Sequence, residues 1–439
     1  MILIAHHTGE THGILGAQAA ATHLTRNLNI PSIVVGVERD FSKQNLLQFL
    51  DEYYADRERV IGFTHLCGRK DLIELIGLMK ERGFSTILGG PQAQVDYYGE
   101  SDSDVHPGRF AGLRSVVDVA VQGPVDFLSR EDLNEKAGCL NFHWAKDINL
   151  EVDWTNIHTF SDRLTKLDVK TAQVLNAIGC PHAAKERIVR LPPPEPIKGE
   201  PLEVDVGCYG CIFCDVARDK GFHGHMERGA VLEQIENLPE QDGKKVPFEI
   251  IDEHPIGSLR WILDETQKAG INLSRIDLVC RAEDINSHQR QLKDALEAAR
   301  QMSIAIMFSS IGFESFNDRI LQFLNKGITV SDTIRCVRTL RELKARFGNT
   351  LLYRTDEGAN HGFIHPTPWD DEATMSENNM NIAMYRLFDD ILPVHSVPLI
   401  IHHSSFLGDW IRKIESDLHM DFRRDGTWIE WWSPPVRRT

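Results

Sequence analysis

The chain has 439 residues, 42% of them hydrophobic, enough to fill the cores of two or three domains. Its formal charge of −16 excludes a partner held through a phosphate backbone, which needs a surplus of Lys and Arg, so no nucleic acid is expected. No apolar run reaches the roughly 18 residues of a membrane span, and Met1–Ala5 lacks the length and basic flank of a secretory signal. A cytoplasmic protein without a membrane span is therefore expected, and in a reducing compartment clustered thiols point to metal or redox chemistry and not to disulfides.

Met1–Ala5 reads as a short buried strand, followed by a polar loop with His6, His7 and His12 and an alanine-rich helix over Ala17–Leu24. Strands follow at Ser32–Val37, Val60–Thr64, Thr86–Leu88 and Asp118–Val121, with an amphipathic helix at Asp71–Arg82. Alternating strands and helices predict a parallel sheet with ligands at the carboxyl ends of its strands. Gly89, Gly90 and Gly123 fall at those ends, where they serve either as tight turns or as close approaches of backbone to a ligand. Three histidines in a polar loop are expected to be solvent-exposed.

From about residue 141 to 200 the periodicity weakens, and Leu191-Pro-Pro-Pro-Glu-Pro196 marks an extended connector. Val206-Gly-Cys208-Tyr-Gly-Cys211-Ile-Phe213-Cys214 then places three cysteines within seven residues. Thiolates spaced in this way bind corners of an iron–sulfur cube, leaving one iron for a fourth ligand. With His223 and His225 close behind, a Cys/His zinc site is the competing reading, and three ordinary buried thiols a third.

Beyond the cysteines, helices at Ala230–Asn237, Leu259–Lys268, Gln291–Arg300 and Thr333–Arg346 alternate with strands at Phe248–Ile251, Ile276–Cys280, Ile304–Phe308 and Leu351–Tyr353. Polar residues crowd each strand's carboxyl end, and such units in series suggest a barrel or partial barrel. Val397–His402 reads as a strand, and Trp428, Trp431 and Trp432 near the end are expected to complete a core.

In that order, the residues resemble the radical S-adenosylmethionine (SAM) enzymes over roughly Glu203–Thr374. The resemblance rests on Gly207-Cys208, Phe213 before the last cysteine, Arg281 after a strand, Ile311-Gly-Phe-Glu314-Ser315, Leu324-Asn-Lys326-Gly-Ile-Thr329 and Gly362-Phe-Ile-His-Pro-Thr-Pro-Trp369. The stretches Val60–Thr64, Ile87–Pro91 and Asp118–Gly123 are similar to the cobalamin-binding domain that precedes the barrel in one branch. Two features depart from the family: only Tyr209 and Gly210 separate Cys208 from Cys211 where three residues are usual, and no Asp-x-His-x-x-Gly run offers a lower ligand to cobalt. Gly123-Pro124 also replaces the usual Gly-Glu.

The resemblance implies an α/β chain with a Rossmann-like parallel-sheet domain over 1–140, a connector over 141–200, a partial (β/α) TIM-type barrel over 201–370 and a C-terminal extension over 371–439. It implies a 4Fe–4S cluster on Cys208, Cys211 and Cys214, with SAM contacts from Phe213, Asp252, Glu253, Arg281, Gly312, Glu314 and Ser315. Cobalamin would lie over Gly89, Gly90 and Gly123. The implied activity is reductive cleavage of SAM to a 5′-deoxyadenosyl radical, with cobalamin-dependent methyl transfer to an unactivated carbon of a small-molecule or peptide substrate. The electron donor would be flavodoxin or ferredoxin. The alternatives are a radical SAM enzyme of another reaction type, and a non-catalytic zinc or iron–sulfur protein that kept the barrel, suggested by the short cysteine spacing.

Overall fold

The computed structural model describes residues 1–134, 138–148, 150–200, 202–214 and 224–438. His223 lies outside the described residues.

The first sheet is built from β1 (Ile2–His6), β2 (Ile33–Val37), β3 (Val60–Thr64), β4 (Ser85–Gly89), β5 (Val119–Gln122), β6 (Gly138–Asn141), β7 (Ile157–Phe160) and β8 (Leu164–Lys166). Their order is β6-β5-β4-β3-β1-β2-β7-β8, parallel except for the β7–β8 hairpin. The central strands are buried on both faces, which is why β1, β2 and β5 read as unbroken apolar runs. Helices Leu15–Arg26, Lys43–Tyr53 and Lys70–Glu81 cover them, each with one apolar stripe turned to the sheet. Strand order reverses at β1, whose neighbours are β2 and β3, and that reversal opens a crevice at the carboxyl ends.

The second sheet runs Leu351–Leu352, Ala305–Glu314, Arg275–Arg281, Phe248–Ile251 and Ala172–Leu175 in order, all parallel, with Gly362–Phe363 paired on the Ala305–Glu314 strand. From Ala172–Leu175 to Leu351–Leu352 each strand of this sheet lies beside the one before it, with a helix returning between them, as in a (β/α) series. The pairing does not close: Ala172–Leu175 and Leu351–Leu352 stand at opposite edges, so among the described residues the sheet is open and its hydrogen bonds form no closed barrel.

The stretch 141–200, expected as a connector, contributes β7 and β8 to the first sheet and Ala172–Leu175 to the second. These strands are only three or four residues long, too short for a period to show in sequence. The loop after β1 hooks onto the second sheet here: the Gly13 amide donates to the Thr171 carbonyl (2.9 Å), and the Leu15 amide to Gln173 Oε1 (3.1 Å). One apolar core runs through both sheets, from Leu3 and Ala5 to Val174, Phe248 and Ile276.

The cysteine loop does not follow a strand of the second sheet. It ends an antiparallel hairpin, Glu186–Leu191 with Val204–Tyr209, packed on helix Phe406–Leu418. Trp431 fills the core of that hairpin and helix as expected, joined there by Trp410, whereas Trp428 is half-buried outside it and Trp432 is exposed. Among the described residues no helix is long and apolar enough to cross a membrane.

The C-terminal extension is tied to the first sheet by buried charges. Arg424 donates to both oxygens of Glu100 (2.9 Å each), Arg412 adds a bond to Glu100 Oε2 (2.9 Å), and Arg424 also reaches Glu415. Burial alone would push the Glu100 carboxyl up, but the hydrogen bonds and charge of Arg424 overcome it and hold it down at about 2. The ordinary glutamate value is about 4.3. The stabilisation is therefore complete above about pH 4.3 and lost as pH falls through about 2. Glu100→Gln should cost roughly 3 kcal/mol near neutral pH by removing one of the two carboxylates that compensate the buried Arg424 guanidinium, and the cost should shrink in acid, as read by denaturant unfolding.

Candidate functional site

Two cavities open at the carboxyl ends of the two sheets. The first, about 460 Å³, lies over the strand reversal and is floored by Gly89, Gly90 and Gly123 with Thr64, Gly13 and Ile14 beside them. A Cβ added at Gly89 would meet nothing within 4 Å, so it would stand in the cavity itself. Gly90 has φ +118° and Gly123 φ +96°, and a Cβ at Gly123 would fall 1.9 Å from the Phe142 carbonyl oxygen, so these two are required by backbone geometry. The opposite wall comes from the second sheet: Leu175, Ala177, Ile178, Gly179 and the Asp252-Glu253 pair. His12 lines this cavity too, and His7, expected to be exposed, is buried under it with its ring stacked on His12 at 4.7 Å.

The second cavity, about 270 Å³, holds most of the expected SAM and cluster residues: Cys211, Phe213, Cys214, Glu253, Arg281, Gly312 and Glu314 all line it. Arg281, at the end of its strand, is the hub. Its guanidinium donates to Cys211 Sγ (2.9 Å), to Glu283 and to the Lys326 carbonyl. Burial disfavours its charge, but the adjacent Cys211 sulfur and Glu283 carboxylate more than compensate and raise its basicity. Glu314 ends its strand with φ +61°, a left-handed conformation costly for a side chain of this kind, and its Oε1 accepts from the buried Lys326 ammonium (2.8 Å). Burial works against the Lys326 charge; Glu314 outweighs it and the ammonium is held. A Cβ at Gly312 would lie 2.6 Å from Glu314 Oε1 and 2.7 Å from Lys326 Nζ, so glycine there is what lets the pair cross the strand.

Other expected residues stand elsewhere. Asp252 lines the first cavity, its carboxylate accepting from Asn176 Nδ2 (2.5 Å) and the His254 amide (2.8 Å), and burial raises its affinity for a proton. Ser315 is buried and bonded to Asn378 Oδ1 (3.1 Å), off the second cavity. His225 is exposed, 3.8 Å from Asp252. Glu253 borders both cavities, and burial raises its carboxyl more strongly than Lys326 and Arg281 lower it.

The three cysteines of the loop have different surroundings. Cys208 is fully buried on the apolar face of its strand with Val204 and Val206, and it does not line the cavity. Asn325 Nδ2 approaches its sulfur at 3.4 Å and donates to the Gly210 carbonyl at 2.6 Å. Cys180 and Lys326, unexpected from the sequence, line the cavity instead. Among the described residues the thiols are not gathered within the 4.8 Å that would let three ligands share one ion, as a tetrahedral zinc site demands. A cube spaces its thiolates more widely. Iodoacetamide applied to the metal-free native chain should label Cys180 and Cys214 along with exposed Cys67, and leave Cys208, Cys280 and Cys336 unlabelled until unfolding, as read by peptide mass mapping. Labelling of native Cys208 at the Cys67 rate would contradict this placement.

No protein-family model matches the sequence, and no curated protein matches it. Among solved structures, the fold is similar to that of the apo, selenomethionine-labelled cobalamin-dependent S-adenosylmethionine radical enzyme OxsB, with a TM-score of 0.54 and 12% sequence identity over 100% of this chain. This chain spans 64% of the length of that one. The likeness shows a shared fold.

Proposed function

We propose that this chain is a radical SAM enzyme that methylates an unactivated carbon with the help of cobalamin. The observation that carries the reading is the pair of cavities, one walled by cysteines and buried cations, the other floored by glycines, with Glu253 bordering both.

The residues present fit the groups. The loop of Cys208, Cys211 and Cys214 offers soft thiolate ligands, with Cys211 and Cys214 at the cavity, and Arg281 and Lys326 supply buried positive charge against an anionic cluster. When bound, the cluster and SAM supply a 5′-deoxyadenosyl radical that takes hydrogen from carbon, and cobalamin supplies the methyl group. The protein's part is to bind, orient and exclude water. Arg281 fixes the cysteine loop through Cys211 and, with Lys326, presents cationic groups suited to SAM's carboxylate. Glu314, held by Lys326, offers an acceptor for a ribose hydroxyl or amine. Phe213 packs on the hairpin core and turns its remaining surface to the cavity, where an adenine ring would stack. Gly89 leaves room for a broad corrin face. A small-molecule or peptide substrate would enter between the cavities beside Glu253. The electron would come from flavodoxin or ferredoxin.

Anaerobically reconstituted protein given dithionite and SAM should release 5′-deoxyadenosine and methionine and should contain about four irons and sulfides per chain. Stoichiometric zinc with no SAM cleavage would establish the non-catalytic alternative. Gly89→Leu, which fills the glycine floor without backbone strain, should weaken hydroxocobalamin binding by at least about 1.4 kcal/mol, tenfold in Kd, and leave SAM cleavage in place. Unchanged cobalamin affinity would place the corrin elsewhere or remove it from the reaction.

A further inference from the structure

We propose that Asp96, His402 and His403 bind a zinc-class divalent cation, a second metal site that clasps the C-terminal extension to the first sheet. None of the three lines either of the two cavities. Asp96 stands in the short helix Ala93–Tyr98, which follows the Gly89-Gly90 turn after β4. His402 ends the strand Ile401–His402 of the extension, and His403 comes next in the chain. The two segments are distant in sequence and meet only in the fold.

All three side chains are buried, His403 most deeply. Asp96 Oδ1 lies 2.9 Å from His403 Nε2 and 3.5 Å from His402 Nε2, and one ligand atom from each residue stands within 4.8 Å of the other two. Donors bound to one tetrahedral zinc at about 2.0–2.1 Å stand roughly 3.3 Å apart, so both separations are close to those of ligands sharing an ion. Two imidazoles and a carboxylate are also ligand types that zinc accepts. A fourth position is left for water.

The supporting bonds hold the rings in place. His402 Nδ1 lies 2.7 Å from Ser404 Oγ and 3.3 Å from the Ser404 amide. The shorter contact has Nδ1–H donating to the hydroxyl, which turns the Nε2 lone pair toward Asp96, as the outer partner of a ligating histidine does. The His403 backbone is fixed at both ends: its amide donates to the Thr427 carbonyl (2.9 Å), and its carbonyl accepts from Arg412 (2.8 Å). Helix Phe406–Leu418 starts so close that a Cβ at Gly408 would fall 2.4 Å from the His403 carbonyl oxygen. The His403 ring packs against Phe110 and His402, with centroids 5.0 Å and 4.6 Å away. The donors are therefore set before an ion arrives, which lowers the cost of binding it.

A dication here would neutralise the buried Asp96 carboxylate and use both imidazoles in their neutral form. With every ligand buried, the role is structural. It would join the helix beside the glycine floor to the extension that backs the cysteine hairpin.

The test uses the full-length chain stripped by a chelator, beside Asp96→Asn and His402→Ala. Each is loaded with Zn²⁺ or Co²⁺, desalted, and read by metal content, visible absorbance and thermal unfolding; the metal-free unfolding curve shows that each variant is folded. Thiols that take up metal do so equally in all three chains, so the wild-type excess over the variants reports this site alone. Wild type should retain one more zinc per chain than either variant, and saturating zinc should raise its Tm more than theirs. The wild-type minus variant cobalt spectrum should show visible bands of nitrogen and oxygen ligation without sulfur-to-cobalt charge transfer in the near ultraviolet. Equal zinc in wild type and a folded variant, or a difference spectrum carrying thiolate charge transfer, overturns the assignment. Neither result bears on SAM cleavage, so the site and the functional reading fail separately.

Discussion

The site depends on one buried guanidinium. Arg281 is nearly inaccessible to water and divides its donors among a cysteine sulfur, a carboxylate and a backbone carbonyl. Removing such a charge from water costs several kcal/mol unless each direction finds a partner. Those partners come from three separate segments: the cysteine loop, the helix that follows Arg281, and the Asn325–Gly327 turn. Satisfying Arg281 therefore brings the segments together. The same turn supplies Lys326 to Glu314 and Asn325 to Gly210, so the second cavity is walled by groups that are already paired before any ligand arrives.

The larger architecture serves this cavity by bringing two sheets mouth to mouth. The loop after β1 bonds to the edge strand of the second sheet, and the C-terminal extension bonds back to the first sheet through Glu100 and through His403, whose ring nitrogen lies 2.9 Å from Asp96 Oδ1. Helix Phe406–Leu418 from that extension also backs the cysteine hairpin, and the Leu407 amide donates to the Ile212 carbonyl (3.2 Å). The tail thus joins the first sheet to the loop that presents Cys211 and Cys214. Glu253 stands at the border of both cavities.

Much of this was legible in the chain. The strands β1 to β5 and the helices Leu15–Arg26 and Lys70–Glu81 announce themselves as apolar runs and 3.6-residue stripes, and Phe248–Ile251 is matched residue for residue, whereas the helices Lys43–Tyr53 and Ala93–Tyr98 went unread. Arg281 could be placed at a strand end because it follows the apolar run Ile276–Cys280, whereas Glu314 was singled out by the resemblance, its strand running six residues past the expected end at Phe308. What escaped was short or non-local. Ala172–Leu175 has four residues, too few for a period, and Lys326 becomes a site residue only because a distant strand end delivers Glu314 to it. The left-handed turn at Glu314 and the open edges of the second sheet have no local signature. The burial of Cys208 was legible too, because the alternation Val204-x-Val206-x-Cys208 turns that thiol to the apolar face. Cys180 lacked any such signal, since its neighbours in the cavity are neighbours only in the fold.

The central claim is that the cysteine cavity holds a cluster with one iron open to SAM. Electron paramagnetic resonance of the reduced, reconstituted full-length chain, recorded with and without SAM, tests it most directly. A reduced 4Fe–4S signal whose position and shape change when SAM is added is the predicted result. A cluster signal indifferent to saturating SAM, or no cluster signal at all, would contradict it.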